Sequence, residues 1–195
     1  MSLPVELQPS LTPQELEFIA CNHESIEIVP LFQMDRIRLI SGIYGPFQPP
    51  KRATVPLWLA VNLKLKAKCN IIPPDWLSPD FLKQKVKDEL STEGDFTELP
   101  FRYMEIAKVL LDVASDDLPS PDRIRLHLKE LREARQEKAR RGLSLINHSI
   151  VDLENLCEME INEIRPYFVR SMGIITHLHR EPRQLADEDM DTTLT

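Results

Sequence analysis

Residue types that often carry out catalysis or bind metals occur in this sequence, but their spacing does not bring them together. His177 and His179 are two residues apart in a helical segment, so they point in different directions, unlike the i,i+4 pair that ligates zinc. The segment at 42–45 lacks the third glycine of a dinucleotide-binding loop and does not precede a helix. Adjacent Asp116 and Asp117 are typical of a turn. The sequence therefore predicts no enzyme, no metal site, no cofactor and no small-molecule substrate.

Basic residues between positions 123 and 141 form the most prominent charged segment. Eight basic side chains (Arg123, Arg125, Lys129, Arg132, Arg135, Lys138, Arg140 and Arg141) stand against four acidic ones (Asp122, Glu130, Glu133 and Glu137). Three interpretations are open: a solvated helix face with i,i+4 ion pairs, which we favour, a contact with phosphates, or a contact with an acidic protein surface. Because the net charge is −7, we rank a protein contact above a DNA contact. Arg132, Arg135 and Lys138 then belong to a hypothetical partner interface.

The composition is that of a folded protein of one or two small domains. The chain has 195 residues, of which 42% are hydrophobic and 28% charged. No apolar stretch approaches the ~18–20 residues that span a bilayer, and the N-terminus lacks the regions of a signal peptide. Cys21, Cys69 and Cys157 are far apart and suit reduced core thiols better than disulfides. We therefore expect an intracellular protein.

Proline marks the predicted starts of three helices. Thr12–Pro13, Ser78–Pro79 and Ser120–Pro121 each combine a residue that caps free backbone N–H groups with a proline at the first helical position. Glu15 completes a capping box with Thr12. These three positions are therefore predicted helix N-termini.

Alternating apolar residues predict a small sheet between the first two helix starts. Period-two patterns cover 25–29 and 36–39, and a third short strand is predicted near Thr54 and Val55. Long periodic segments after Asp75 are helical. The predicted fold is α+β and mostly α-helical, with a small β-rich domain and its N-terminal helix at 1–60 and a helical bundle domain at 61–180.

The segment at 101–114 has an unusually wide apolar surface. A surface helix needs an apolar arc of only ~100°, whereas this arc covers about two-thirds of the circumference. Two explanations are open: the helix is central in its bundle, or a second chain covers it. On the second explanation the following residues form a partner interface: Tyr103, Met104, Ala107, Leu110 and Leu111.

The segment at 57–68 forms a helix with two separate apolar faces, which indicates two neighbours. A helix on a membrane surface would need one continuous apolar face. We therefore place the segment at the junction of the β-rich domain with the helical bundle, or of the bundle with another subunit. The predicted core of this junction consists of Trp58, Val61, Leu65 and Trp76.

Two further helical segments complete the predicted bundle. One runs from Ser120 to about residue 147, and the other covers 151–179 and is divided near Arg165 by Pro166, since proline interrupts helical hydrogen bonding. The acidic segment at 181–195 has little to bury and is predicted to be a disordered tail.

Two long motifs and a short element carry a resemblance to a known family. They are VPLWLAVNLKLKAKCNIIPPDWL at 55–77, PFRYMEIAKVLLDVASDDLPSPDRIRLHLKELREARQEK at 100–138, and EMEIN at 158–162. In this order they resemble the subunit-2 family of the eukaryotic GINS complex, over roughly residues 15–180. The first ten residues and the acidic tail lie outside the resemblance.

The resemblance implies a non-catalytic, structural subunit in the nucleus, with a β-rich domain before a helical one. Its implied partners are three other GINS subunits in a heterotetramer, the ring-shaped minichromosome-maintenance helicase and a RecJ-like partner of that helicase. The complex would bind and activate the replicative helicase, with at most indirect or weak DNA contact. The alternative from the residues alone is a basic helical adaptor that contacts nucleic acid directly.

Overall fold

The protein consists of a small β-rich unit followed by a larger helical region. The computed structural model describes the backbone of residues 10–92, 94–144 and 154–191, and the side chains of 10–92, 94–143 and 154–177. The elements in chain order are α1 (Pro13–His23), β1 (Ser25–Pro30), β2 (Ile37–Leu39), β3 (Gly42–Tyr44), β4 (Ala53–Pro56), α2 (Leu57–Leu65), β5 (Cys69–Ile71), α3 (Pro79–Ser91), α4 (Tyr103–Val113), α5 (Pro121–Ser144) and α6 (Glu158–Asp191). The predicted α+β class, mostly helical, is confirmed.

The predicted helix starts are confirmed by the cap geometry. The Thr12 hydroxyl accepts a hydrogen bond from the Glu15 backbone N–H at 3.3 Å, and the Glu15 carboxylate accepts one from the Thr12 N–H at 2.7 Å. Ser78 caps α3 in the same way, and α5 begins at Pro121. Each cap satisfies backbone donors that the first helical turn leaves free.

The β-rich unit contains two antiparallel sheets. In the larger one, β1 lies between β4 and β5, with Ile26 opposite Val55 and Ile28 opposite Ile71. The side chains of these four residues are buried. The smaller sheet is the β2–β3 hairpin. Because β5 follows α2 in the chain, the larger sheet extends past the boundary predicted at residue 60.

Helix α2 is shorter than the segment predicted at 57–68. It ends at Leu65, and Ala67 adopts a left-handed conformation with a φ of 52°. The Lys68 N–H donates to the Leu63 carbonyl and the Ala67 N–H donates to the Lys64 carbonyl, at 2.9 and 2.8 Å. This pair of bonds is the Schellman arrangement that closes a helix C-terminus, here without glycine.

Helix α6 is longer than predicted. We predicted two helices meeting near Arg165, but α6 continues through Pro166 as far as Asp191. Proline removes one backbone hydrogen bond and can kink a helix without ending it. The helix also includes residues 181–191 of the predicted disordered tail, and residues 192–195 lie outside the described part. The predicted end of the preceding helix, at 145–147, also lies outside the described residues.

Helix α4 lies at the centre of the core. It packs against α1, α2 and α5, and its buried and partly buried residues leave only a narrow exposed stripe with Lys108 and Asp112. Of the two explanations for its wide apolar arc, the structure therefore supports the central position in the bundle. One continuous core joins the sheet, α2, α3, α4 and α5.

Candidate functional site

The residues predicted as an apolar partner interface lie inside the chain instead. Tyr103, Ala107 and Leu110 are at most 1% exposed and Leu111 is 7% exposed, while Met104 packs against the same core from a partly buried position. The interface hypothesis is therefore wrong for these residues. The reason is that neighbouring helices of the same chain already cover α4 on several sides.

Two residues of the basic segment on α5, Arg135 and Lys138, are directed toward their own chain. Five others are exposed: Arg123, Arg125, Lys129, Arg140 and Arg141. The Arg135 side chain is completely buried, and its Nε donates to Glu160 Oε1 at 2.6 Å while its Nη1 donates to Glu89 Oε2 at 3.0 Å. Lys138 Nζ donates to the other oxygen of Glu89 at 2.6 Å. The guanidinium carbon of Arg135 also lies 4.9 Å from the centre of the Phe96 ring. We call Arg135, Lys138, Glu89, Glu160 and Phe96 the Arg135 cluster.

The Arg135 cluster corrects all three interpretations for Arg135 and Lys138 only. Elsewhere on α5 the favoured solvated face with i,i+4 ion pairs is present, as in the exposed pairs Lys129–Glu133 and Arg141–Glu137. Arg135 and Lys138 face neither solvent, phosphate nor a second protein, because the acidic surface they contact is formed by α3 and α6 of the same chain. Arg132 is different: its side chain is 43% exposed and pairs with Glu163 at 2.6 Å on the surface. The cluster therefore fixes α5 between α3 and the beginning of α6.

The charges in the cluster are mutually stabilised. Burial raises the pKa of Glu89, but hydrogen bonds from Lys138 and Thr97 and the charge of Arg135 outweigh it, so the pKa lies below its ordinary value. Burial likewise disfavours the charge of Arg135, but the hydrogen bonds and charge of Glu160 raise its pKa. Both groups are therefore ionised at neutral pH, as expected for a buried pair with satisfied hydrogen bonds.

The predicted junction core is correct only in part. Val61 and Trp76 pack against the core from partly buried positions, whereas Leu65 is 70% exposed. Trp58 is also only partly buried. The reason is that α2 turns Leu57 and Ala60 toward the core, which leaves Trp58 and Leu65 at the edge of the buried side.

Lys64 joins the β-rich unit to the helical region through the acidic pair that we predicted to form a turn. The turn exists, and its carboxylates also bind: Lys64 Nζ lies 2.8 Å from both Asp116 Oδ2 and Asp117 Oδ2. Asp117 also accepts a hydrogen bond from the backbone N–H of Ile71 in β5, at 2.7 Å. The carboxylates allow Lys64 to occupy a largely buried position, with only 10% of its side chain exposed.

Arg102 makes a second connection of this kind. Its Nη1 lies 3.1 Å from Glu24, between α1 and β1, and its Nε lies 2.5 Å from Glu158, the first residue of α6. Lys108 in α4 pairs with Glu17 in α1. Charged side chains therefore hold the N-terminal helix, α4 and the beginning of α6 in one arrangement.

Glu105 differs from these ion-paired residues. Its side chain is fully buried in α4, and neither carboxylate oxygen has a hydrogen-bond partner. Burial raises the pKa of Glu105, and the nearby charge of Glu158 acts in the same direction. A buried polar group without a partner destabilises the folded state.

We therefore expect Glu105→Met to stabilise the protein at neutral pH, by about 1–3 kcal/mol. Because the pKa of Glu105 is higher in the folded than in the unfolded state, the contribution of Glu105 to the stability falls as the pH rises from the unfolded pKa through the folded one. Chemical denaturation at several pH values would measure both effects. In Glu105→Met, the decrease in the free energy of unfolding that Glu105 causes with rising pH should disappear. The exposed control Glu133→Met should still show that decrease. A destabilised Glu105→Met at neutral pH would contradict the expectation.

Helix α6 presents an apolar surface that is partly exposed. At ~100° per residue, Ile164, Tyr167, Phe168, Met172 and Ile174 lie within an arc of about 160°. Tyr167 and Ile174 are 54% and 57% exposed, and the other three are partly buried. We call these residues the α6 stripe. None of these five residues belongs to the partner interface predicted from the sequence.

The base of α6 is anchored to the N-terminal helix. Asn162 exchanges two hydrogen bonds with the backbone of Leu11, both at 2.8 Å, and α6 packs mainly against α1. Glu158 and Glu160 bind Arg102 and Arg135. The stripe begins just after these anchors.

Other kinds of site find no support in the described residues. Within 10–92, 94–143 and 154–177, His, Cys, Asp and Glu side chains do not group in a way that could hold a metal ion. Among the helices that the structure describes, none combines the length and hydropathy needed to cross a membrane.

Two family models match the chain, one up to and including β5 and the other from just before α3 onward. The PSF2 N-terminal domain matches residues 12–72, and the GINS complex protein helical bundle domain matches residues 76–178. The chain is 48% identical over 168 residues to the DNA replication complex GINS protein psf2 of Schizosaccharomyces pombe, covering 86% of this chain and 91% of that protein. The GINS protein PSF2 of Debaryomyces hansenii is 40% identical over 188 residues, 96% of this chain and 91% of its own. That of Homo sapiens is 38% identical over 163 residues, 82% of this chain and 87% of its own.

Proposed function

Because the chain belongs to the PSF2 family of GINS replication proteins, we propose that it is a non-catalytic structural subunit of a nuclear GINS heterotetramer. Its partners are three other GINS subunits. Through that tetramer it contacts the minichromosome-maintenance helicase ring and its RecJ-like partner. The observation that carries this proposal is the α6 stripe, an apolar surface on a helix whose base is fixed in the fold.

The extent of the stripe supports a protein partner. Exposed apolar patches of more than a few hundred Å² are uncommon on monomers and mark interaction sites. Aromatic residues and methionine, here Tyr167, Phe168 and Met172, are enriched in protein interfaces. The helical bundle family model extends to residue 178 and therefore includes the whole stripe.

The rigid base of α6 supports a structural role. The Arg135 cluster and Arg102 hold the first turn of α6 against α5 and α4. A helix held in this way presents its stripe in a defined direction, so less conformational entropy is lost when a partner binds. The subunit would then act by holding its binding surface in a fixed orientation. It would stabilise the helicase state that it binds more tightly, by an amount set by the difference between its affinities for the helicase states.

The alternative, direct contact with nucleic acid through α5, has less support. Arg132, Arg135 and Lys138 are all paired with carboxylates of the same chain. Phosphate binding would require these pairs to break. We therefore propose that any DNA contact of this subunit is indirect or weak.

We also propose a domain boundary later than the one predicted at residue 60. Strand β5 completes the sheet of the β-rich unit, and α3 begins at Pro79. The two family models are separated by residues 73–75. The linker between the domains would then lie in the Pro-rich segment between β5 and α3.

The double variant Phe168→Asp/Met172→Asp tests the proposed role of the stripe. Two carboxylates placed in an apolar interface would have to be desolvated, so we expect the affinity for the other three subunits to fall about hundredfold or more. Native mass spectrometry after co-expression of all four subunits would measure the tetramer. Binding of the helicase ring to the purified complex would be measured in parallel.

The matched control is Arg170→Asp/Gly173→Asp, which adds the same two carboxylates on the opposite side of α6. Arg170 and Gly173 are exposed, and an added Cβ at Gly173 meets no atom within 4 Å. The control should assemble normally, and both variants should melt near the temperature of the parent chain. Normal assembly of Phe168→Asp/Met172→Asp would remove the support for this interface.

A further inference from the structure

The β2–β3 hairpin exposes an isoleucine at its tip that the packing of this chain does not explain. Ile40 and Ser41 form the two-residue turn between Leu39 and Gly42, which pair across the hairpin. Neither Ile40 nor Ser41 has a positive φ, so the turn does not demand glycine or asparagine there and its backbone neither requires nor opposes isoleucine. Ile40 is fully exposed, at 110% of its reference accessibility. Its side chain therefore contributes little to the stability of this fold.

Ile40 is one part of a surface that is both apolar and basic. Ile43 is 65% exposed and pairs with Arg38 across the hairpin, on its outer side. Arg36 is also exposed, two residues before Arg38. Neither guanidinium forms an ion pair with a residue that the structure describes, in contrast to Arg102, Arg132 and Arg135. We call Arg36, Arg38, Ile40 and Ile43 the hairpin patch.

The hairpin that carries the patch is held firmly. Ile37 and Tyr44 pair on its inner side and pack against the core of the protein. The Tyr44 hydroxyl donates a hydrogen bond to Ser41 Oγ at 3.1 Å, which fixes the turn. A preorganised surface loses little conformational entropy on binding.

We infer that the hairpin patch is a docking site for an acidic segment of another protein, one in which carboxylates flank an apolar side chain. Two arginines without carboxylate partners provide the charge, since arginine binds carboxylates through paired N–H donors. Ile40 and Ile43, which belong to the same patch as the arginines, provide the apolar contact. Charge complementarity therefore selects an acidic segment of the partner, and the isoleucines add apolar area that is buried on binding.

Nucleic acid and a second copy of this chain fit the patch less well. Nucleic-acid affinity comes from several neutralised phosphates, whereas the patch has two guanidinium groups on a chain of net charge −7. In a symmetric dimer through the patch, Arg36 and Arg38 of one copy would face the same residues of the other. This juxtaposition of like charges opposes association.

A photo-crosslinking residue at Ile40 tests the inference in the full-length chain. Benzoylphenylalanine at this fully exposed position leaves the fold unchanged, and irradiation in cells that depend on this chain captures a neighbour within a few ångströms. Mass spectrometry identifies the captured segment. We expect a protein segment in which at least two carboxylates flank an apolar residue. The matched control places the same probe at Phe18, which is 69% exposed beside Glu15 and Glu17.

Charge reversal then separates specific docking from adventitious contact. Arg36→Glu/Arg38→Glu should lower the yield of the adduct roughly tenfold or more, and changing the carboxylates of the captured segment to lysine should restore it. No adduct above the Phe18 control, an adduct with nucleic acid or a second copy, or a yield insensitive to charge reversal would each overturn the inference. Tetramer formation is measured for every variant, so a failure of the α6 interface is distinguished from a failure of this one.

Discussion

Replacing Arg135 with alanine is expected to lower the free energy of unfolding by about 3–5 kcal/mol, a large fraction of the stability of an ordinary domain. Arg135 connects α3 and α6 through Glu89 and Glu160, and all three side chains are at most 8% exposed. Removing the guanidinium leaves the buried Glu160 carboxylate without its counter-charge and leaves Glu89 with Lys138 alone. The carbonyl oxygens of Thr97 and Asn155 lose a donor as well.

Urea unfolding of the parent and variant chains would measure this difference. Arg132→Ala is the matched control, because Arg132 lies on the same helix and pairs with a single, partly exposed glutamate. A surface pair of this kind contributes about 0–1 kcal/mol. Equal losses for the two variants would show that Arg135 is not buried as described.

A triple variant separates the loss of charge balance from the loss of packing. In Arg135→Met/Glu89→Gln/Glu160→Gln the three most buried charges disappear together, and only Lys138, which is 15% exposed, keeps its charge. Replacing buried charges by neutral groups as a set is often nearly neutral. The triple variant should therefore be clearly more stable than Arg135→Ala. If the two were equally unstable, the packing of the long side chain, and not its charge, would be responsible.

The burial of Arg135 could have been predicted from its position in the sequence. Ile124, Leu128, Leu131 and Arg135 follow one another at intervals of four, three and four residues, which places the arginine on the apolar face of α5. Glu89 follows Leu82 and Val86 on α3 in the same way. A charged residue at a core position predicts a buried partner of opposite charge. The sequence alone does not identify that partner, because Glu160 is 25 residues away and its position depends on the tertiary fold.

The two remaining errors have a similar physical origin. Leu65 was predicted in the junction core but is 70% exposed, and its neighbour Lys64 enters the junction instead, through Asp116 and Asp117. For α4, the width of the apolar arc was read correctly and left two explanations open. Periodicity reports how much of a helix is covered and does not report whether the cover comes from the same chain. The family resemblance identified the class of protein without resolving either point.

Leu110→Ala tests the central position of α4 most directly, and we expect a loss of about 2–5 kcal/mol in the free energy of unfolding. Leu110 is 1% exposed, in a helix packed against α1, α2 and α5, so truncation leaves a cavity that the surrounding helices can fill only in part. Leu65→Ala is the matched control, since Leu65 is 70% exposed and its truncation should change the stability by no more than about 0.5 kcal/mol.

Thermal or urea unfolding of the isolated chain gives the stability, and native mass spectrometry of the co-expressed subunits gives the assembly. If α4 is internal, Leu110→Ala destabilises the isolated chain, and any tetramer that forms from the folded fraction keeps its normal composition. The partner-interface interpretation requires the reverse, because truncating an interface leucine weakens binding while the isolated chain keeps its stability. Unchanged unfolding with lost assembly would return Tyr103, Leu110 and their neighbours to the interface and would contradict their burial within one chain.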